Sequence, residues 1–427
     1  MSIQRFAVFV ATALVGVGPA YAQAARAADA EPVRAEDVAP APTPLEASSE
    51  DAPGVRPVWR GYFGVEGRTF NQSPAISGQM RQGLSLVAQP EFSYESPNRR
   101  HRINATLFGR FSVEPRYGSV DVRELNWQYH RDGWSVLAGM NRVFWGATES
   151  RHVIDVVNQS DMRESFVGDV KLGQLMVAAS LQRSWGQLEL YALPHFRTRA
   201  FPPSDDRPRL QLPLADAKVS NGAPLDWATR VSISRGDVDL HAYYFRGVNR
   251  EPDLIPVFDG SGPPTALRPI YQQIGQIGGD VQYAHGAWLF KGELMHRSKP
   301  DAQYQAGVGG FEYGIARLFG GASDLALLAE YQFDNRPDTE WPAPATRGVY
   351  AGMRLGLNDK ASSEAKAGTV YDLRSHSWLI RGEFTRRLTD QWGLYLGYYG
   401  FNHVGKSPAL RDFYRDSYLT ITLRRYL

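Results

Sequence analysis

The sequence of 427 residues contains no cysteine. This absence excludes disulfides and thiolate metal sites, so the folded chain must be held together by burial and hydrogen bonding. Lysine is also scarce, because only seven of the 47 basic residues are Lys and the rest are Arg. Beyond the N-terminal segment, no apolar run approaches the ~18 residues that a transmembrane helix needs. The sequence therefore excludes both a disulfide-stapled domain and a helical membrane protein.

The N-terminus is typical of an exported protein. Arg5 precedes an apolar stretch from Phe6 to Val17, and Ala20-Tyr21-Ala22 fits a small-x-small cleavage site. These features predict a cleaved signal peptide over residues 1–22. An uncleaved signal anchor is the alternative, and the cleavage site disfavours it. The next segment, residues 23–57, is rich in Ala, Pro and acidic residues and has no aromatic residue. We therefore predict a disordered linker there.

From Trp59 onward, apolar and polar residues alternate. In the last segment, Leu419, Ile421 and Leu423 share one parity and the polar residues share the other. Successive side chains of a strand point to opposite faces, so the pattern predicts strands with one apolar face. The sequence predicts eighteen of them, near 59–68, 84–94, 102–111, 124–129, 134–144, 175–185, 187–196, 226–234, 238–246, 269–284, 288–297, 309–319, 325–334, 347–357, 363–373, 377–387, 392–402 and 416–427. Sixteen is the alternative, reached if 363–373 and 377–387 form one strand and another strand is lost.

The connections alternate between short turns and long segments. The long ones are expected near 70–81, 145–174, 197–225, 247–268, 298–308, 335–346 and 403–415. An even strand number, this alternation of connection lengths, and a content of 21 Tyr, 20 Phe and 10 Trp are typical of outer-membrane barrels. We therefore predict an all-β fold, a transmembrane antiparallel β-barrel over residues 58–427. A soluble propeller or sandwich is the alternative, because alternation alone does not tell which face is buried.

If the apolar face meets lipid, the polar face lines the interior. A barrel of sixteen or more strands leaves an aqueous lumen unless it is plugged. The predicted lumen lining comprises Arg60, Arg68, Arg102, Arg110, Glu91, Glu124, Arg230, Asp280, Glu293, Glu330, Arg354 and Arg381. Such groups create a field and hydrogen-bonding positions for polar solutes. Alternatively, they neutralise one another as salt bridges and stiffen the wall.

One long connection, Trp145 to Gln174, differs from a plain surface loop. Val153, Ile154 and their neighbours need cover, and a loop of this length is usually functional or disordered. We predict that it folds into the lumen, with its valines on the wall and its polar residues facing the passage. The predicted pore constriction is Asp155, Asn158, Asp161, Arg163 and Glu164. A loop that only caps the rim is the alternative.

Short motifs carry a resemblance to a known group. They are Val136 to Asp161 with Gly139, Trp145-Gly146, Asp155 and Asn158 to Asp161, then Leu357-Asn358-Asp359, Tyr371-Asp372, Arg386-Arg387-Leu388 and Trp392. The pattern resembles uncharacterised Gram-negative outer-membrane β-barrels, which are similar in architecture to the eighteen-strand alginate-export porins. The resemblance implies a channel and a constriction role for residues 145–164, without implying alginate as the cargo. The terminal strand resembles the C-terminal signal that the barrel-assembly machinery reads. Such signals usually end in Phe, whereas here the last residue is Leu427 and the aromatic residue, Tyr426, precedes it.

The sequence therefore predicts a porin-like channel of the bacterial outer membrane. It would pass or export hydrophilic solutes, with anionic solutes and polysaccharide among the candidates. The alternative is a non-conducting structural or surface-interaction barrel that uses its long outer loops. The expected partners are outer-membrane lipid, the barrel-assembly machinery and a hydrophilic solute, and no nucleic acid. We expect no cofactor, no metal and no enzymatic activity, because the histidines lack ligand spacing and no nucleophile–base pair is visible.

Overall fold

The computed structural model describes residues 57–114, 117–220, 222, 225–337 and 345–427. The predicted signal peptide and the predicted linker up to residue 56 lie outside the described residues. The described part contains twenty β-strands: β1 (Val58–Phe70), β2 (Gln82–Glu95), β3 (His101–Glu114), β4 (Tyr117–Arg131), β5 (Trp134–Asn141), β6 (Gln174–Arg183), β7 (Gly186–Leu193), β8 (Lys218–Ser220), β9 (Asp226–Arg235), β10 (Val238–Val248), β11 (Asp253–Val257), β12 (Ala266–His285), β13 (Trp288–Ser298), β14 (Gln303–Ile315), β15 (Asp324–Asp334), β16 (Arg347–Gly356), β17 (Glu364–Asp372), β18 (Trp378–Arg387), β19 (Trp392–Asn402) and β20 (Tyr418–Tyr426).

Eighteen of these strands form a closed antiparallel barrel. Each strand pairs with the next, and β20 pairs with β1 from Tyr62–Tyr426 to Phe70–Tyr418, which closes the ring. The two remaining strands, β8 and β11, pair with the first residues of β12 outside the ring. The prediction of eighteen strands is confirmed, and sixteen is wrong. The two segments that the sixteen-strand alternative joins, β17 and β18, are separate strands paired from Glu364–Thr385 to Tyr371–Trp378.

One predicted long connection is wrong. Residues 298–308 were expected to form a loop, but β14 begins at Gln303 and pairs with β13 along its length. In its first half Tyr304, Ala306 and Val308 alternate with Gln303, Gln305 and Gly307, but these apolar residues are buried on the inner face, whereas Phe311 in the second half points outward. The ladder forms because cross-strand hydrogen bonds need only the backbone.

The apolar face of the barrel points outward. Phe63, Leu86 and Val120 are 53%, 54% and 71% exposed, whereas the polar Arg123 and Glu330 are 1% and 5% exposed. This arrangement is the reverse of a soluble sandwich and suits a wall surrounded by lipid. Aromatic side chains gather on the outer wall near the short turns, including the contacts of Trp127 with Tyr129 and of Trp288 with Tyr313. Among the described residues, no helix has the length and apolar character needed to cross a membrane.

The two ends of the barrel differ. At one end, here called the turn end, two-residue turns such as Asp132-Gly133 and Gly236-Asp237 join the strands. Gly133 and Gly236 have φ of 77° and 61°, a conformation that tight hairpin turns require and that glycine adopts at little cost. The opposite end, here called the loop end, carries the long connections. In outer-membrane barrels the short turns face the periplasm and the long loops face outward.

Candidate functional site

The connection between β5 and β6, residues 142–173, runs inside the barrel and is called the inner loop below. Asn158 fixes its base. The Asn158 side-chain oxygen accepts from the Val143 N–H at 2.9 Å, and its amide donates to the carbonyls of Asn141 and Leu172, both at 2.9 Å. Asn158 has no exposed surface. It therefore ties the two arms of the inner loop together where they leave the wall.

Arg123 holds the inner loop from the wall side. It is the extra residue of a β-bulge, because Val122 and Glu124 pair with consecutive residues of β3 and Arg123 has no partner there. A bulge redirects a side chain, and the Arg123 guanidinium reaches the Asp161 carboxylate and the Lys171 carbonyl at 2.8 and 2.7 Å. Burial alone would raise the pKa of Asp161, but its bonds to Arg163 and Arg123 hold that pKa below its usual value.

The inner loop passes this bulge at close range. A Cβ on Gly173 would lie 2.2 Å from the Val122 carbonyl oxygen and 2.6 Å from that of Arg123. Real Cβ atoms do not approach a carbonyl so closely, so only glycine permits this approach. The bulge in β4 and the glycine before β6 therefore act together to seat the end of the inner loop.

Two wall carboxylates are enclosed by backbone amides of the inner loop. Glu293 of β13 accepts from the N–H groups of Ala147, Thr148 and Val153 at 2.7, 3.0 and 2.9 Å. Glu330 of β15 accepts from the N–H groups at positions 149 and 150, at 2.7 and 2.8 Å. Hydrogen bonds to an ionised acceptor are among the stronger ones in proteins. The segment 147–153 is therefore held to the wall by its main chain.

Ion pairs fix the inner loop to other parts of the wall. Glu164 pairs with Arg110 of β3 at 2.8 Å, and Arg110 also pairs with Glu66 of β1 at 2.8 Å. Asp169 pairs with Arg381 of β18 at 2.8 Å. Since the strands β3, β15 and β18 lie far apart around the ring, the inner loop crosses the lumen rather than lining one side.

An apolar cluster joins the inner loop to one arc of the wall. Its members are Trp145, Val153, Ile154, Val156 and Val157 from the inner loop, and Met176, Tyr191, Leu193, Ala228, Tyr243, Phe245, Ile274, Met295, Tyr304, Ala306 and Val308 from the wall. Fully burying such a side chain contributes about 1.5–3 kcal/mol. The sequence prediction of a wholly polar inner face missed this arc. The sequence does carry a cue to this apolar arc, because apolar residues follow one another without alternation near the loop ends of some strands, such as Tyr243-Tyr244-Phe245 in β10.

A cavity of about 490 Å³, called the loop-end cavity below, lies between the inner loop and the outer loops. It is lined by nine basic and five acidic side chains, and its aromatic members include Phe166 and Phe413. Within it, Glu251 lies 2.7 Å from Arg297 and 3.4 Å from Arg336. Burial alone would raise the pKa of Glu251, but these arginines hold that pKa well below its usual range.

Arg207 joins the outer loops that cover this cavity. Its guanidinium pairs with Asp416 at 2.8 Å and donates to the carbonyls of Arg415, Gln72 and Met80 at 2.6, 3.3 and 3.4 Å. Three connections, 71–81, 194–217 and 403–417, therefore meet at one fully buried side chain. No periodic pattern in the sequence marks a loop residue of this kind.

The predicted constriction residues lie mainly against the wall. Asn158 and Asp161 are fully buried, Asp155 pairs with Lys171 at 3.2 Å, and the Glu164 side chain is 8% exposed in its pair with Arg110. Arg163 retains more surface, with 22% of its side chain exposed beside Asp161. These side chains anchor the inner loop, so a direct role in narrowing a passage stays a prediction.

The structure brings seven of the twelve predicted lumen residues to the inner loop. Arg110, Glu293, Glu330 and Arg381 bond to it as described, Arg354 pairs with Glu149 at 3.1 Å, Glu124 pairs with Arg142 at 2.8 Å, and the Arg230 guanidinium lies 5.6 Å from the Trp145 ring. The other five are placed elsewhere. Arg60 faces Glu91 across β1 and β2, Arg102 pairs with Glu95, Arg68 with Glu66, and Asp280 with Arg230 and His241.

We expect the docking of the inner loop to depend on pH through His152, which lies 3.5 Å from Glu293 of the wall. Burial alone would lower its pKa, but the hydrogen bond and charge of Glu293 at 3.5 Å raise it above the usual value, with Asp155 adding to the rise and Lys171 opposing it. Because the pKa of His152 is raised in the docked state, its pair with Glu293 contributes fully to docking below about pH 6.5, the ordinary pKa of a histidine. This contribution to docking is lost as the pH rises through the raised pKa of His152. The substitution Val167→Cys introduces a single thiol that can carry a spin label. The label should become more mobile as the pH rises through the raised pKa of His152, and His152→Gln should abolish this pH dependence. Unchanged mobility in the parent protein would contradict this role.

Comparisons with known proteins give the following results. No protein-family model matches the chain, and no curated protein matches it. Among solved structures, the chain is similar to OmpT of Vibrio cholerae, an outer-membrane protein, at 12% identity and a TM-score of 0.42, with 87% of this chain and 99% of that chain covered. It is similar to a mutant of the Rh. blastica porin at 9% identity and a TM-score of 0.42, with 87% of this chain and 100% of that chain covered. It is also similar to Wzi, an outer-membrane protein involved in group 1 capsule assembly in Escherichia coli. The identity is 10% and the TM-score 0.48, with 85% of this chain and 83% of that chain covered.

The fold itself identifies the class of protein. A closed ring of eighteen antiparallel strands has no free sheet edge, which is the only way that strands span a bilayer. Its outward face is apolar, and its interior is polar except for the one apolar arc and is crossed by a long loop. The chain is therefore a β-barrel protein of the bacterial outer membrane.

Proposed function

We propose that the barrel passes hydrophilic anionic solutes across the outer membrane through a lumen that the inner loop narrows. The observation that carries this proposal is the loop-end cavity, whose lining has nine basic and five acidic side chains. Its volume of about 490 Å³ lies in the range of small-molecule sites, which is about 300–1,000 Å³. A solute entering from the loop end meets this cavity before it meets the segment 147–153.

The arrangement of charge in the cavity supports anions. Several of its arginines are paired with carboxylates that are outside its lining, such as Arg250 with Asp226 and Arg336 with Asp334. The guanidinium groups therefore line the cavity while acids behind them offset part of their charge. A planar guanidinium binds carboxylate and phosphate by paired hydrogen bonds. Clefts with charge of one sign and low-dielectric walls raise the local concentration of counter-ions. Acidic saccharides are among the candidate solutes, because Phe166 and Phe413 add flat apolar surface beside the arginines.

Reversal potential in a planar bilayer tests this proposal. The refolded protein should show stable conductance steps and a reversal potential on the anion-selective side in a salt gradient. Arg411→Glu should reduce the anion preference, because Arg411 lines the cavity and its side chain is 69% exposed. Arg425→Glu serves as the matched control, because Arg425 lies on the outer wall opposite Phe63 and should leave selectivity unchanged. Cation selectivity, or equal effects of the two substitutions, would contradict the proposal.

A second candidate is a non-conducting barrel that binds a partner through its outer loops. The observation that favours it is the set of inner-loop contacts on opposite sides of the wall, at Arg110, Glu330 and Arg381. A verified folded barrel without conductance steps would select this candidate over the channel. In both cases we propose that the protein performs no chemistry. Recognition of β20 by the barrel-assembly machinery stays a prediction.

A further inference from the structure

A groove of about 360 Å³ lies on the outer wall of the barrel at the loop end of β10, β12 and β13, and is called the outer-wall groove. The strand register builds it. Arg246, Gly275 and Ser298 form one cross-strand row. Tyr244, Ile277 and His296 form the next row toward the turn end. Gly275 has no side chain, so it leaves a floor between Arg246 and Ser298. Lys299 follows directly at the end of β13 and also lines the groove.

The groove faces the membrane and not the lumen. Residues paired across strands share a face. Arg246 pairs with Trp227, which is 41% exposed, and His296 pairs with Ile277, which is 56% exposed on the lipid side. The groove is therefore separate from the loop-end cavity, and nothing in the transport proposal uses it.

The groove sits where the apolar band ends. On β13 the outward residues Trp288, Phe290 and Leu294 are apolar, and the next outward residue is His296. The span from position 288 to position 296 is about 27 Å of strand at ~3.4 Å per residue. With a tilt of 35–45° this is roughly 20 Å of height, close to the ~25 Å band of such barrels. On β10 the same change occurs at Arg246, after Leu240 and Tyr244. The outward faces of the two strands thus change from apolar to polar near one level, where lipid headgroups lie.

The chemistry of the groove suits a phosphate group. Arg246 is exposed, and no carboxylate of the described residues lies within ion-pair distance of it. His296 Nδ1 is buried and has no hydrogen-bond partner among the described residues, while Nε2 lies 3.3 Å from the Ser298 hydroxyl. Lys299 is held at 2.8 Å from Asp253 and 3.4 Å from Asp301, which offset its charge. Arg246 is therefore the cation that remains available.

Gly275 keeps the groove open. A Cβ at this position would lie 3.3 Å from the Tyr244 hydroxyl, tighter than ordinary contact, and would fill the floor between the two flanking side chains. Below that floor, Ile277 and Leu294 are exposed by 56% and 55% and offer apolar surface to an acyl chain. The site thus combines a cationic head region with an apolar tail region in the order that a membrane lipid presents them.

We propose that the outer-wall groove binds the phosphorylated headgroup of a glycolipid in the outer leaflet. Basic pockets at membrane interfaces bind anionic headgroups in this way, and the guanidinium of Arg246 is suited to phosphate. The glycolipid lies with its phosphate between Arg246 and Ser298 and with an acyl chain over Ile277. A lipid is favoured over a soluble anion because the groove opens sideways into the apolar band.

Thermal unfolding of the refolded full barrel in detergent tests this proposal. The probe is bis-phosphorylated lipid A, compared with the same lipid after its phosphates are removed. A ligand that binds only the folded state raises the unfolding temperature. Only the phosphorylated lipid should do so, and Arg246→Glu should weaken its binding by roughly ten- to a hundredfold, as expected for the loss of a charge-assisted contact. Arg425→Glu, on the outer wall near the turn end, should bind like the parent protein.

A second variant and a second probe make the test independent of the folding of Arg246→Glu and distinguish a lipid from a soluble anion. Arg246→Gln removes the charge without reversing it, so it provides the test if Arg246→Glu does not fold, and it should also weaken binding. Equal stabilisation of the parent and the Arg246 variants would overturn the proposal, as would equal stabilisation by the dephosphorylated lipid. Inorganic phosphate at the same concentration should give no shift. An equal shift with inorganic phosphate would assign the groove to a soluble anion.

Discussion

Replacing Glu293 and Glu330 together by glutamine is expected to release the inner loop from the wall. The two carboxylates accept five backbone N–H bonds of the segment 147–153. Glutamine keeps the shape of glutamate, but it removes the charge and turns an NH₂ group toward N–H donors. Each hydrogen bond to a charged group contributes about 1.5–3 kcal/mol. A net loss of about 3 kcal/mol would raise the ratio of detached to docked loops by roughly a hundredfold. We expect larger or more frequent conductance steps and a more mobile spin label on Val167→Cys.

Glu91→Gln is the matched control for this pair. Glu91 is an inner-face carboxylate of β2 that accepts from Gln89 at 2.7 Å, outside the inner loop. It should leave both conductance and label mobility unchanged. Parent-like mobility in the double variant would refute the claim that these carboxylates hold the inner loop. Deleting residues 150–164 is a less clean test, because it also removes Val153, Val156 and Val157 from the apolar cluster.

Replacing Arg123 by methionine is expected to cause the largest loss of stability. Arg123 is 1% exposed and lies 2.8 Å from Asp161 and 3.3 Å from Asp121. Breaking a buried ion pair by removing one partner costs about 3–5 kcal/mol, because it leaves buried charge uncompensated. The free energy of unfolding, measured by urea denaturation of the refolded barrel, should fall by about that amount.

A double variant separates the ion pair from the packing of Arg123. Adding Asp161→Asn to Arg123→Met removes the carboxylate left behind, so part of the lost stability should return. Arg131→Met is the control, since Arg131 lies at the exposed end of β4 and its loss should change stability little. If the double variant were as unstable as the sum of the two single ones, the pair would have no coupling energy.

Period-two alternation was enough to predict the ring of strands. The prediction worked because one outward face per strand is apolar from Trp59 to Leu423, and lipid demands that regularity. The prediction failed where the alternation of apolar and polar residues is interrupted. Arg123 falls in a bulge, so its inward direction contradicts the strict alternation of its neighbours. In the first half of β14 the apolar residues Tyr304, Ala306 and Val308 point inward, so the apolar parity is opposite to that of Phe311 in the second half.

The site was predictable only in part. Parity placed Glu293, Glu330 and Arg381 on the inner face, and the need to cover Val153 and Ile154 predicted a loop inside the barrel. Alternation could not tell which wall residue meets which loop residue, because the contacts join positions as far apart as 169 and 381. It also gave no reason to expect Asn158 and Asp161 to be buried anchors, since a polar residue in a loop reads as exposed.

The contacts of the inner loop have a consequence for the order of folding. They tie residues 147–169 to strands near both ends of the chain, with sequence separations of 54 residues at Arg110 and 205 at Arg354. Closing such long segments carries an entropic cost that local hairpins do not. We therefore expect hairpin strands to assemble before these contacts form, because Arg354 and Arg381 reach the loop only when β16 and β18 are in place. Docking of the inner loop on these two arginines is then expected to be a late step of folding.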